Sequence, residues 1–120
     1  MRVLYVDDEP DIREIAGMAL ELESGFEVRT AGSGVEALSL METWAPDIAL
    51  LDVMMPQMDG PTLLANIRAL PRYSALPVVF VTARAQRSEL QDFSTLDAAG
   101  IIAKPFDPMT LGARVRELVG

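Results

Sequence analysis

Val78-Val79-Phe80-Val81 is an unbroken apolar run of β-prone residues, the pattern of a central parallel strand covered on both faces. Working outward, similar short runs stand at Val3-Leu4-Tyr5-Val6, Ile48-Ala49-Leu50-Leu51 and Ile101-Ile102-Ala103, and Phe26-Glu27-Val28-Arg29-Thr30 alternates like a strand. Helical patterns fill the spaces between them. Pro10 opens the first, where Ile12, Ile15, Ala16, Ala19 and Leu20 follow an amphipathic spacing that ends near Gly25. Ser33 with Glu36 three residues on predicts a capping box for the second, closed by Pro46 beyond Trp44. Gly60-Pro61 opens the third, which carries Leu63, Leu64 and Ile67 and stops at Pro71. The pattern over 85–96 is the sparsest, with Leu90, Phe93 and Leu96 as its main apolar residues. Asp107 and Pro108 read as the N-cap and first residue of a last helix running through Val119.

Strict alternation of five strands and five helices predicts a doubly wound α/β sandwich: a parallel sheet, right-handed crossovers and helices on both faces. A chain of 120 residues, 50% hydrophobic and 23% charged, suits one domain over 1–120 with one core region. In such a sheet the ligand site lies beyond the carboxyl ends of the strands, where the strand order reverses.

Composition narrows the chemistry. The net charge of −8 argues against direct nucleic-acid binding, which needs clustered cations. With no cysteine there is neither a disulfide framework nor a thiolate metal site, and with no histidine there is no His-based triad or metal site. No apolar run approaches the roughly 20 residues of a membrane span, and the N-terminus lacks a signal-peptide pattern, so the expectation is a cytoplasmic protein without a membrane partner. Carboxylates must carry any acid–base or nucleophilic work. The ten basic residues are nine arginines and one lysine, Lys104, which sets that position apart.

The strand ends bear out the topological rule on paper. Asp7 and Asp8 follow the first strand, Asp52 the third, Thr82 the fourth and Lys104 the fifth. Taken singly, each has a plain structural reading: a solvated Asp7-Asp8 loop with Asp8 as a helix cap, a turn aspartate, a β-branched strand end, a surface lysine. Taken together on one rim, they describe a pocket. Three carboxylates there repel, at about 4 kcal/mol per pair 4 Å apart in an effective dielectric near 20, so a cation or a proton must offset them. Oxygen-only donors suit a hard ion, Mg²⁺ first and Mn²⁺ as the alternative. Asp8 and Asp52 are the expected direct ligands, with Asp7 acting directly or through water and Met54 through its backbone carbonyl. Asp52 is the expected nucleophile toward phosphorus, with Lys104 and Thr82 holding the phosphoryl oxygens. Asp59 reads as a cap for the third helix, and Met54, Met55 and Met58 as loop packing.

Val-Asp-Asp-Glu at 6–9, Leu-Asp-Val-Met-Met-Pro-Gln-Met-Asp-Gly at 51–60, Val-Thr-Ala at 81–83 and Lys-Pro-Phe at 104–106 resemble the receiver domains of bacterial two-component response regulators, in order and spacing across essentially the whole chain. The resemblance implies a (βα)5 flavodoxin-like sheet of order 2-1-3-4-5. It also implies a phosphoprotein of a phosphorelay, in which a histidine kinase or histidine phosphotransfer protein phosphorylates Asp52. Mg²⁺ would be held by Asp7, Asp8, Asp52 and the Met54 carbonyl, Thr82 and Lys104 would contact the phosphoryl group, and Lys104–Pro105 would be cis. Such a domain is a phosphoacceptor and not a turnover enzyme; it acts on a downstream protein target or a fused output domain. Two competing readings are a haloacid-dehalogenase-like phosphatase, disfavoured because Asp52-Val53-Met54 lacks a second carboxylate, and an interaction module that never cycles phosphate.

The family usually carries Tyr or Phe where this chain has Ile101, so its usual threonine–aromatic relay is not expected here. Readout is expected in the loop after Thr82 and over 85–96. Met54 and Arg84 flank the pocket, and the apolar Met54 side chain predicts slow self-dephosphorylation.

Overall fold

The computed structural model describes residues 1–83 and 98–119. Five strands, β1 (Arg2–Val6), β2 (Glu27–Ala31), β3 (Ile48–Asp52), β4 (Val78–Thr82) and β5 (Gly100–Ala103), form one parallel sheet in the order β2-β1-β3-β4-β5. The described helices are α1 (Pro10–Glu21), α2 (Gly34–Leu40), α3 (Gly60–Arg68) and α4 (Leu111–Val119), with a single 3-10 turn at Pro71–Tyr73. This is the doubly wound order expected from the sequence. The helical pattern over 85–96 and Arg84 lie outside the described residues.

The period-2 alternation of each strand feeds two separate cores. Leu4, Val6, Ala49, Leu51, Val78 and Phe80 face one side, packing with Leu63, Leu64 and Ile67 of α3. Val3, Tyr5, Ile48, Leu50, Val79 and Val81 face the other, packing with Ala16 and Leu20 of α1 and with Leu111 and Val115 of α4. Every residue of β3 and β4 is buried, which explains their unbroken apolar runs. Edge strand β2 alternates because one of its faces is wetter.

Local signals work as read at several ends. Ser33 accepts a hydrogen bond from Glu36 N–H at 3.1 Å, and Asp59 accepts one from Thr62 N–H at 2.8 Å. Gly25 sits at φ +84°, the left-handed turn out of α1 that a glycine tolerates without strain. Trp44 is buried past the end of α2, with the guanidiniums of Arg2 and Arg29 over its ring, 5.7 and 5.2 Å from the centroid.

Other ends differ. The Glu36 carboxylate bonds Gly32 N–H at 3.1 Å, one residue upstream of the capping-box partner. Asp8 does not cap α1, whose N-cap is Glu9. Asp107 behaves as the expected cap, accepting from Met109 N–H on its side chain and from Thr110 and Leu111 N–H on its carbonyl, and a turn over 108–110 leads into the regular helix from Leu111. Of the three methionines, Met55 and Met58 pack against the α3-side core, whereas Met54 is 61% exposed. The Lys104–Pro105 peptide bond is cis, as the resemblance implied. No helix among the described residues is long and apolar enough to cross a membrane.

Candidate functional site

The carboxyl ends of β1, β3, β4 and β5 bring the polar residues of four separate segments to one rim. Asp52 is the last residue of β3, in register with Val81, and Thr82 is the last of β4, in register with Ala103. The Lys104 N–H donates to the Thr82 carbonyl at 2.8 Å, so the strand that carries the threonine also fixes the lysine. Asp7 follows β1 and is fastened to the neighbouring strand by its own N–H on the Ala31 carbonyl at 3.1 Å.

Asp7, Asp8 and Asp52 each present a carboxylate oxygen within 4.8 Å of the others. Asp7 is fully buried, Asp52 is 4% exposed and Thr82 2%, while Asp8 is half-buried at the mouth. The Lys104 ammonium lies between two of the acids, 2.8 Å from Asp7 Oδ2 and 3.3 Å from Asp52 Oδ1. Among the described residues, Lys104 is the cation in contact with these carboxylates. Burial, followed by the charge of Asp7, pushes the Asp52 carboxyl up to about 6, and Lys104 only partly draws it back. For Lys104, burial pulls the ammonium down, but the hydrogen bond to Asp7 and the charges of Asp52 and Asp7 outweigh it and leave it raised and charged.

The net deficit of positive charge, with oxygen donors and neither histidine nor thiolate, is what a hard divalent cation would relieve. Met54 lies two residues beyond Asp52, with its side chain turned out to solvent.

Three residues join the site beyond those the sequence reading placed there. The Tyr5 hydroxyl donates to Asp7 Oδ2 at 2.9 Å, and burial followed by Asp7's charge pushes the phenol far above its ordinary value, so it stays a donor. Its signal was a tyrosine inside an otherwise apolar strand, where a buried hydroxyl needs a partner. Arg13 reaches from α1 to the Asp7 carbonyl at 2.8 Å, passing so close to Gly32 that a Cβ there would stand 2.9 Å from its Nη1. Gly60 lets α3 start hard against β3, its N–H on the Val53 carbonyl at 2.9 Å.

Comparison with known proteins bears on the family and the fold. A family model described as the response regulator receiver domain matches residues 3–116. The chain is 39% identical over 118 residues to "Response regulator Rre1" of Synechocystis sp., covering 98% of this chain and 51% of that protein. It is 34% identical to the "DNA-binding dual master transcriptional regulator RpaA" of the same organism, covering 98% of this chain and 48% of that one. Among solved structures, the chemotaxis protein CheY4 of Vibrio cholerae superposes with a TM-score of 0.89 at 32% identity, covering 98% of this chain and 97% of that one. The chain spans about half the length of most of the curated relatives it matches.

Proposed function

Because the chain belongs to the response regulator receiver domain family, the phosphoacceptor module of two-component signalling, we propose that Asp52 is its acceptor and that residues 1–120 act as one signalling domain. The supporting observation is the Lys104 ammonium between Asp7 and Asp52 at 2.8 and 3.3 Å, a cation already beside the nucleophile and within reach of whatever charge is added to it.

In the proposed reaction an Asp52 oxygen forms a bond to phosphorus while the phosphorus–nitrogen bond of a partner's phosphohistidine breaks, and the leaving imidazole keeps that electron pair. Lys104 and the Thr82 hydroxyl hold the phosphoryl oxygens. Mg²⁺, or Mn²⁺ in its place, held by Asp8, Asp52, the Met54 carbonyl and Asp7 directly or through water, would neutralise charge on those same oxygens. The donor is a histidine kinase or histidine phosphotransfer protein, and the chain has no histidine of its own to serve instead. The consequence is altered binding of a downstream protein or a fused output domain, in the cytoplasm, with no direct contact to nucleic acid or membrane. The chain promotes its own phosphorylation and dephosphorylation without acting as a turnover enzyme.

Incubation with a small phosphodonor and Mg²⁺, followed by intact-mass measurement, tests this. One added phosphoryl group is expected on the parent and none on Asp52→Ala or in the presence of a chelator. Turnover of a simple phosphate ester would favour a phosphatase, and persistent failure to label would favour a module that never cycles phosphate.

A further inference from the structure

We infer that Tyr5 is a positioning residue for the phosphoryl chemistry: its hydroxyl holds Asp7 when Lys104 leaves that carboxylate for a phosphoryl group on Asp52. The inference rests on the reading of Asp52 as acceptor.

Residues Val3 to Val6 of β1 are all fully buried, and Tyr5 brings the one side-chain polar atom among them. Period 2 turns Tyr5 and Asp7 to the same face of the sheet, so the hydroxyl meets the carboxylate two residues on. Asp7 then has three donors of different kinds. Oδ2 accepts from the Tyr5 hydroxyl at 2.9 Å and from Lys104 Nζ at 2.8 Å, and Oδ1 accepts from Glu9 N–H at 3.0 Å. Of these, Lys104 is shared, because it also reaches Asp52 at 3.3 Å.

A phosphoryl group on Asp52 places more negative charge beside Lys104 than the carboxylate alone does, and draws the ammonium toward it. Asp7, with no solvent access, would then lose the Lys104 ammonium while it must stay aimed at the metal it holds directly or through water, and a buried carboxylate that loses a partner is costly. The tyrosine hydroxyl and the Glu9 N–H remain. The tyrosine ring is held in place by its edge contact with Phe106, centroids 6.5 Å apart and planes at 73°, so the hydroxyl keeps its aim while Lys104, two residues before Phe106, changes partners.

Tyr5→Phe removes the hydroxyl and keeps the ring. With beryllium fluoride and Mg²⁺ as the probe for the phosphorylated state, the affinity of the folded variant is expected to fall about tenfold, because the hydrogen bond, already present in the free protein, counts for more once Lys104 has left Asp7. In an Asp7→Asn background, where no buried charge needs holding, the same substitution is expected to change it by less than about twofold. A Tyr5→Phe variant that binds as tightly as the parent, or a tenfold loss that persists in the Asp7→Asn background, would overturn the inference. Parent protein carrying 3-fluorotyrosine gives a second measurement that needs no variant to fold. Its Tyr5 signal should move with the probe while that of Tyr73, bonded to the Met41 carbonyl on the opposite core, stays still; an unmoved Tyr5 signal counts against the idea. Should the parent itself bind no beryllium fluoride, the reading of Asp52 fails and this inference with it, whereas a binding parent with an indifferent Tyr5→Phe sinks this inference alone.

Discussion

Gly60 stands directly against the backbone of Asp52: a Cβ on residue 60 would lie 2.5 Å from the Asp52 carbonyl oxygen and 3.0 Å from the Val53 Cα. Neither atom belongs to a flexible side chain, so nothing nearby can give way without moving the end of β3. Gly60→Ala is expected to destabilise the fold by about 1–3 kcal/mol, the usual cost of overpacking, and to slow labelling of Asp52 by a small phosphodonor. Urea denaturation and labelling rates on the folded variant check the two effects separately. Unchanged labelling would mean that the strand end tolerates the shift.

Stability should depend on pH through Asp52. Its folded-state value of about 6 lies above the ordinary 3.8, mainly through burial and then Asp7's charge. The folded state therefore binds more protons than the unfolded chain between those values, and stability falls as pH rises from about 4 to 6. The metal-free parent at pH 7 should carry a penalty of about 3 kcal/mol at most relative to acid conditions. Asp52→Asn removes the titrating group, so it should flatten that window and stabilise the chelated protein at pH 7. Added Mg²⁺ should stabilise the parent and shrink the difference. Denaturation with chelator at pH 4.5 and 7 tests the sign, and a parent that gains stability across the window would contradict it.

How much of this was legible in the sequence follows from what each residue's neighbours are. The five strands were readable because β3 and β4 are buried on both faces and their runs are unbroken; the site rim followed, because in a doubly wound sheet Asp7, Asp52, Thr82 and Lys104 all fall at carboxyl ends. The caps by Ser33 and Asp59 are local, spanning three residues, and were readable for that reason. Contacts that cross the fold were not. Nothing in the spacing of Tyr5 says that its hydroxyl meets a carboxylate shared with a lysine 97 residues past Asp7, and nothing around Arg13 says that it passes Gly32 to reach the Asp7 carbonyl. The cap by Asp107, local like those by Ser33 and Asp59, was readable for the same reason, although the turn over 108–110 delays the regular helix to Leu111.

Removing the Lys104 ammonium should expose the imbalance of the pocket. Lys104→Met leaves Asp7 and Asp52 without the ammonium at 2.8 and 3.3 Å, and is expected to cost about 3 kcal/mol in chelator, as for other buried charges that lose a partner. The same change makes the pocket more negative, so the variant should bind Mg²⁺ more tightly than the parent and gain more in melting temperature from it. Titration calorimetry and thermal melts with and without Mg²⁺ measure both. Equal gains in parent and variant would place the metal too far from Lys104 for the arrangement described.

Phosphoryl lifetime is the property that the exposed Met54 side chain should set. Hydrolysis needs a water aligned for attack on phosphorus, and a thioether two residues from Asp52 offers that water neither a good donor nor a good acceptor. Met54→Asn puts an amide at the same place on the same solvent-facing side chain, leaving the core untouched because residue 54 is 61% exposed. The variant should lose its phosphoryl group faster than the parent, with little change in stability, as measured by following the intact mass after the donor is removed. A variant that kept the group longer would show that the polar side chain shields the phosphorus, or competes for the water, instead of aiming it.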